Sequence, residues 1–196
     1  LDKVYDIIKY GASLKATPAV NQKATNKAIQ VCSKAGGGKV VVPAGTWNTG
    51  PITLLSEVNL VVEEGATLLF AFDTSLYPIV KTRWEGMDCL NYQPCIYADK
   101  ATDIAITGKG TIDGNGSNDT WWKMCGSPRF GWNDSVVESQ KIGRPLLFEY
   151  AEVGKPIEER DMKGKGMRPQ LININNSENI LIQDVTLLRS PFWVIH

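Results

Sequence analysis

The chain of 196 residues carries 21 basic and 21 acidic side chains, 43% apolar residues and one histidine. That is ordinary composition for a globular domain or one solenoid segment, long enough for a single sizeable core. Zero net charge excludes a bulk attraction to nucleic acid, so an acidic ligand has to meet a local basic patch, and no apolar run is long enough to span a bilayer.

The opening residues LDKVYDIIKY lack the hydrophobic stretch of a signal peptide, so the protein is either intracellular or has had a signal removed. Val4 to Ile8 reads as a short strand closed by a Gly-Ala turn at Gly11. Asn21 to Ala35 places Ala24, Ala28, Ile29, Val31, Cys32 and Ala35 on one helical face, and Gly36 stops it. Such a helix suits the open end of a sheet, which otherwise invites edge-to-edge association.

After the Gly36-Gly37-Gly38 run, Val40 to Val42, Ile52 to Leu54, Val58 to Val62 and Ala66 to Phe70 are strand-length, with Pro-Ala-Gly, Thr-Gly-Pro and Glu-Glu-Gly between them. Residues 114–166 interrupt this rhythm with Gly, Trp and charge. An irregular insertion of that length is either a functional wall or a solvated brace. Within it, Trp121-Trp122 reads more readily as packing than as a sugar platform. From Met167 to His196 the apolar residues alternate in short bursts broken by Asn, Asp, Ser or Ser-Pro, the pattern of a chain turning a corner every few residues.

Three segments superpose: VNLVVEEGATLLF from Val58, TDIAITGKGTIDG from Thr102 and ENILIQDVTLLRS from Glu178. Leu60 and Ile104 stand 44 positions apart, which fits two circuits of about 22 residues; Ile104 and Ile180 stand 76 apart, so something interrupts. The expected fold is all-β, a right-handed parallel β-helix with an N-terminal capping helix, in one domain. Residues 1–38 form strand and cap, 39–113 the first coils, 114–166 the insertion and 167–196 further coils. Cys32, Cys89, Cys95 and Cys125 have no CxxC spacing and no nearby His, so buried free thiols are preferred over a disulfide such as Cys89 with Cys125.

The segments YDIIKYGA, NKAIQVCSKAGGGKVVVPAGTWNTGPITLLSEVNLVVEEGATLLF, ITGKGTIDGNG followed by WW, and MRPQLININNSENILIQDVTLLRSPFWVIH, in that order, resemble the N-terminal half of the polygalacturonases. The resemblance implies a metal-independent, inverting hydrolase of α-1,4-linked galacturonate needing no cofactor. In such an enzyme one carboxylic acid protonates the leaving oxygen while carboxylates opposite activate water. It also implies a pectic polysaccharide or oligogalacturonide as partner, and a secreted or periplasmic location after signal removal. The family's Asp-Asp, His-Gly and Arg-Ile-Lys segments are absent here, so no catalytic residue and no metal ligand is expected within the chain. The segment alone is then expected to be inactive, with the protein continuing beyond residue 196 and further chain, or a second copy, covering its C-terminal end.

The candidate substrate-binding residues are Arg168 and His196. A guanidinium matches a uronate carboxylate in bidentate fashion, so Arg168 suits a distal subsite; a surface ion pair with Glu178 or a neighbour is the equal alternative. His196 alternates with Val194, so if Trp193 and Ile195 face in it faces out onto the strand expected to continue the catalytic row; otherwise it is a histidine without a partner. Asp113 and Asp184 read as turn formers, and Asn173, Asn175, Asn176 and Asn179 as a corner stack bonding successive backbones. Competing functions on the same scaffold are a non-catalytic carbohydrate-binding or adhesive β-helix, and a calcium-dependent pectate lyase, for which no Asp-rich cluster is present.

Overall fold

The computed structural model describes residues 3–196. Along the chain come β1 (Val4–Asp6), a 3-10 turn at Ile7–Tyr10, the helix α1 (Pro18–Lys34), β2 (Gly38–Val42), β3 (Gly45–Thr49), β4 (Ile52–Thr53), β5 (Val58–Val62) and β6 (Ala66–Phe70). Then follow β7 (Ile79–Trp84), β8 (Met87–Tyr92), β9 (Ile96–Asp99), β10 (Thr102–Thr107), β11 (Thr111–Asp113), the helix α2 (Gln140–Glu152), β12 (Ile172–Asn175), β13 (Glu178–Ile182) and β14 (Thr186–Leu188). Apart from β7 and β8, the strands stack in three parallel sheets: β1-β2-β5-β10-β13, β3-β6-β11-β14 and β4-β9-β12. Each circuit lays one strand on each sheet, which is the expected right-handed parallel β-helix.

The core is the inside of this coil. Alternation sends every second side chain inward, so Val40, Leu60 and Ile106 stack in one row and Trp47, Leu68 and Ile112 in a second. Ile52, Ile96 and Ile172 make the third. All nine are buried, each worth roughly 1.5–3 kcal/mol relative to exposure. Helix α1 closes one end, capped by the Thr17 hydroxyl on the Val20 N–H and by Pro18 in its first turn. It buries Ala24, Ala28, Ile29 and Cys32, while Val31 is half-buried and Ala35 is exposed beyond its end.

The 44-residue spacing is not two circuits. Leu60 lies beside Ile106 and Ile104 beside Ile180, so β5, β10 and β13 are successive neighbours. The unevenness comes from two insertions at the same corner, between the second sheet and the third: residues 71–95 after β6, and 114–171 after β11. The first is an antiparallel hairpin of β7 and β8 that the sequence reading overlooks. Trp84 pairs with Met87 across Glu85-Gly86, whose φ values of 47° and 83° are those a tight right-twisted hairpin requires. The second insertion, expected to be irregular, contains α2. Its Leu147 packs with Trp84, Cys89, Met162 and Met167 in a small second core that ties the two insertions together.

At the opposite corner, after the third sheet, Glu57, Asp103 and Asn179 stack with left-handed φ of 65°, 55° and 56°, as do Lys100 and Asn176 at 56° and 49°. The asparagines do bridge coils, but to carboxylates rather than to backbone: Asn176 Nδ2 donates to Asp99 Oδ1 at 2.8 Å and Asn179 Nδ2 to Asp103 Oδ1 at 2.9 Å. Asp113 accepts from the Asn115 N–H at 2.8 Å, the turn role expected, and is also clasped by Arg189 at 2.7 Å. Trp121 is packing: it is fully buried and meets Phe72 and Tyr77 edge-on. All four cysteines are free thiols, three of them buried.

Candidate functional site

The third sheet is the one both insertions overhang. Its inward residues are the isoleucine row; its outward residues in register are Thr53, Tyr97 and Asn173. The row is extended by the bridge of Ile172 to Ile195, which brings His196 beside Asn173. The His196 backbone is fixed by its N–H to the Ile172 carbonyl at 2.9 Å and by its carbonyl accepting from Ile174 at 3.1 Å. His196 therefore faces outward, as the alternation requires.

The hairpin leans over this row. Tyr97 donates its hydroxyl to the Lys81 carbonyl at 2.9 Å, Gln170 donates to the Arg83 carbonyl at 2.8 Å, and Asn91 to the Met167 carbonyl at 2.8 Å. Between hairpin and corner runs an open cleft of about 890 Å³. Lys81, Arg83 and Asp88 wall one side; Asp99, Lys100, Asn175 and Asn176 form the corner side; Ile157 comes from the second insertion and His196 from the last coil. Lys81 pairs with Glu158 at 2.9 Å, Arg83 with Asp88 at 3.2 Å, and Asp99 is held by Asn176. Lys100 is exposed and has no ion-pair partner among the described residues. The Lys81 hydrogen bond holds the Glu158 carboxyl below its ordinary range.

His196 is half-buried, and burial, with Arg83 nearby, lowers its proton affinity below the ordinary imidazole value. Its Nδ1 lies 2.9 Å from the Asn173 amide nitrogen. Trp193 does not face the core beside Ile195; it stacks on Phe192 at 5.3 Å and meets the His196 ring at 5.1 Å, 43% exposed.

Arg168 is not brought to this cleft. It lines a separate pocket of about 260 Å³ with Trp122, Phe130, Phe192 and Trp193. Buried there, it donates from Nη1 to the Pro191 carbonyl at 2.9 Å and from Nη2 to Gln140 Oε1 at 2.8 Å, and lies 5.1 Å from the Phe192 ring centre. The ion pair with Glu178 does not form. Sequence reasoning missed Lys81, Arg83 and Lys100, although the two-residue Glu85-Gly86 break between alternating runs could have revealed the hairpin that carries the first two. Its sequence context makes Asn173 a corner residue; only the strand register discloses its place beside His196.

Residues 32–191 match the family described as Glycosyl hydrolases family 28. The chain belongs to that family. A probable polygalacturonase of Vitis vinifera is 32% identical over 90% of the chain, and an exo-poly-alpha-D-galacturonosidase of Dickeya chrysanthemi is 28% identical over 96% of it. The chain spans 30% and 33% of the length of those two relatives. A hyperthermoactive exopolygalacturonase from Thermotoga maritima superposes on the whole chain with a TM-score of 0.94 and 36% identity, the chain covering 44% of it. A polygalacturonase from Erwinia carotovora ssp. carotovora superposes on 90% of the chain with a TM-score of 0.55 and 25% identity. These pectin-degrading neighbours share the right-handed parallel β-helix.

Proposed function

We propose that this chain forms the N-terminal coils of a secreted or periplasmic polygalacturonase-type hydrolase, and that the cleft over the third sheet holds part of its α-1,4-galacturonate substrate. The observation that carries the reading is the outward His196, in register with Asn173 and Tyr97, opening onto a cleft edged by Lys81, Arg83 and Lys100. Exposed Lys100 meets a uronate carboxylate, and His196 binds the sugar through a ring nitrogen. Arg168, with one bond from each Nη already made to the protein, supplies positive charge from the neighbouring aromatic pocket. The cleft lining offers Asp88 and Asp99, but one is paired with Arg83 and the other held by Asn176, so neither suits general acid work.

Hydrolysis therefore needs carboxylates supplied by further coils, which would also cover Ile180, Leu188 and Ile195 at the exposed end. The reaction is inverting and metal-independent. Reducing-end release from polygalacturonate tests this. The 196-residue chain should match a heat-killed control, and a longer product carrying the family's Asp-Asp and His-Gly segments should release ends in EDTA. Release by the 196-residue chain, or EDTA-sensitive formation of unsaturated product, would overturn the reading.

A further inference from the structure

The molecule's charge is unevenly placed. Residues 1–40 hold seven lysines and two aspartates, whereas residues 41–196 hold 14 basic and 19 acidic side chains, so a neutral chain divides into a cap near +5 and a body near −5. All seven lysines are exposed, and none has an ion-pair partner among the described residues. The cap is the end closed by α1, and three strand spacings of about 4.8 Å, roughly 14 Å, separate β4 in the first coil from the coil that carries His196.

On that cap α1 and the 3-10 turn border a groove of about 700 Å³ lined by Tyr10, Val20, Lys23, Asn26, Lys27 and Gln30. Lys23 and Lys27 are one helical turn apart, about 6 Å along the axis, on one face. Asn26 spends its amide on the Pro51 carbonyl and its carbonyl on the Thr53 N–H, so the groove floor is rigid and its free polar groups are the two ammoniums and Gln30. Adjacent unpaired cations over an open groove with room for more than one sugar ring, on a body of opposite charge, fit a chain bearing regularly repeated carboxylates.

We infer that this cap groove is a second binding surface for acidic polysaccharide, apart from the cleft. The choice of polymer rests on the galacturonate reading above. It would hold a polyuronate chain at the end of the solenoid distant from His196.

The test is affinity electrophoresis of the 196-residue chain in gels containing polygalacturonate, at low and high salt, with folding of each variant checked by circular dichroism. Lys23→Gln with Lys27→Gln should weaken binding about fivefold, both in the native chain and in His196→Ala, and high salt should remove the difference. Unchanged retardation of the double variant would overturn the proposal. So would equal binding of fully methyl-esterified pectin, which lacks the charges, or equally tight Lys23- and Lys27-dependent binding of duplex DNA. If a short oligogalacturonide leaves the His196 ring unperturbed while the double variant still loses polymer affinity, the cleft reading fails and the cap stands.

Discussion

Asn173 and His196 are neighbours across adjacent coils, the amide Nδ2 of one 2.9 Å from the ring Nδ1 of the other. An amide nitrogen can only donate, so Nδ1 is the acceptor and the ring proton sits on Nε2, on the far side of the ring from Asn173. Asn173 is fully buried, and its Oδ1 has no hydrogen-bond partner among the described residues.

Because His196 is the single histidine, nitrogen-15 NMR of the labelled ring reads its state without assignment. The expected spectrum at neutral pH is the neutral Nε2–H tautomer, and Asn173→Ala should return the ring to a mixture. With folded proton affinity lowered, the ring is neutral in both folded and unfolded chains above its ordinary value of about 6.5. As pH falls below that value the unfolded chain takes up the proton first, so His196 erodes stability toward acid. Stability of His196→Gln should fall less steeply than that of the native chain through that range. A dominant Nδ1–H tautomer would contradict the geometry.

Gly108 starts the turn from the first sheet to the second in the third coil, at φ 103°, where an added Cβ would stand 2.0 Å from the Val62 carbonyl oxygen of the coil beneath. Gly108→Ala should cost at least about 2 kcal/mol in urea unfolding. Gly86→Ala, at the hairpin tip with nothing within 4 Å, should cost only about 1 kcal/mol, the strain of its positive φ.

Trp84 joins the two insertions: it is fully buried, stacks on Phe192 at 4.6 Å and donates its indole N–H to the Arg168 carbonyl at 3.2 Å. Trp84→Ala should cost about 3–5 kcal/mol and open residues 140–152 to limited proteolysis before the coils themselves unfold. Cleavage beginning instead in β5 or β10 would show that the insertions are not the weaker unit.

Burial pushes the Cys89 and Cys95 thiols up to about 12 and raises Cys32 as well. An aromatic disulfide reagent at mildly alkaline pH should therefore modify Cys125 first, the one cysteine that is not fully buried, and reach the other three only on unfolding. Rapid modification of all four in the folded chain would contradict this packing.

The coil was legible because alternation reports a strand's inward face directly, and Val58–Val62 and Ala66–Phe70 were read with their observed bounds. Circuit length was not, since a 44-residue spacing fits either two short coils or one coil with a hairpin, and only the pairing of Leu60 with Ile106 decides. The outward orientation of His196 was legible by alternation. Arg168 was not: residue chemistry suits it to a carboxylate, but its burial under Phe192 comes from a stacking that no local pattern encodes. Lys100 escaped because a left-handed corner lysine looks like any surface charge until the coils above and below it are placed.

The most direct measurement is titration of the histidine-labelled chain with trigalacturonate. A saturable shift of the His196 nitrogen resonances, lost in Lys100→Glu and not produced by neutral trigalactose, is the expected result. Resonances that stay fixed while the oligogalacturonide demonstrably binds would place the substrate elsewhere and contradict the assignment of the third-sheet cleft.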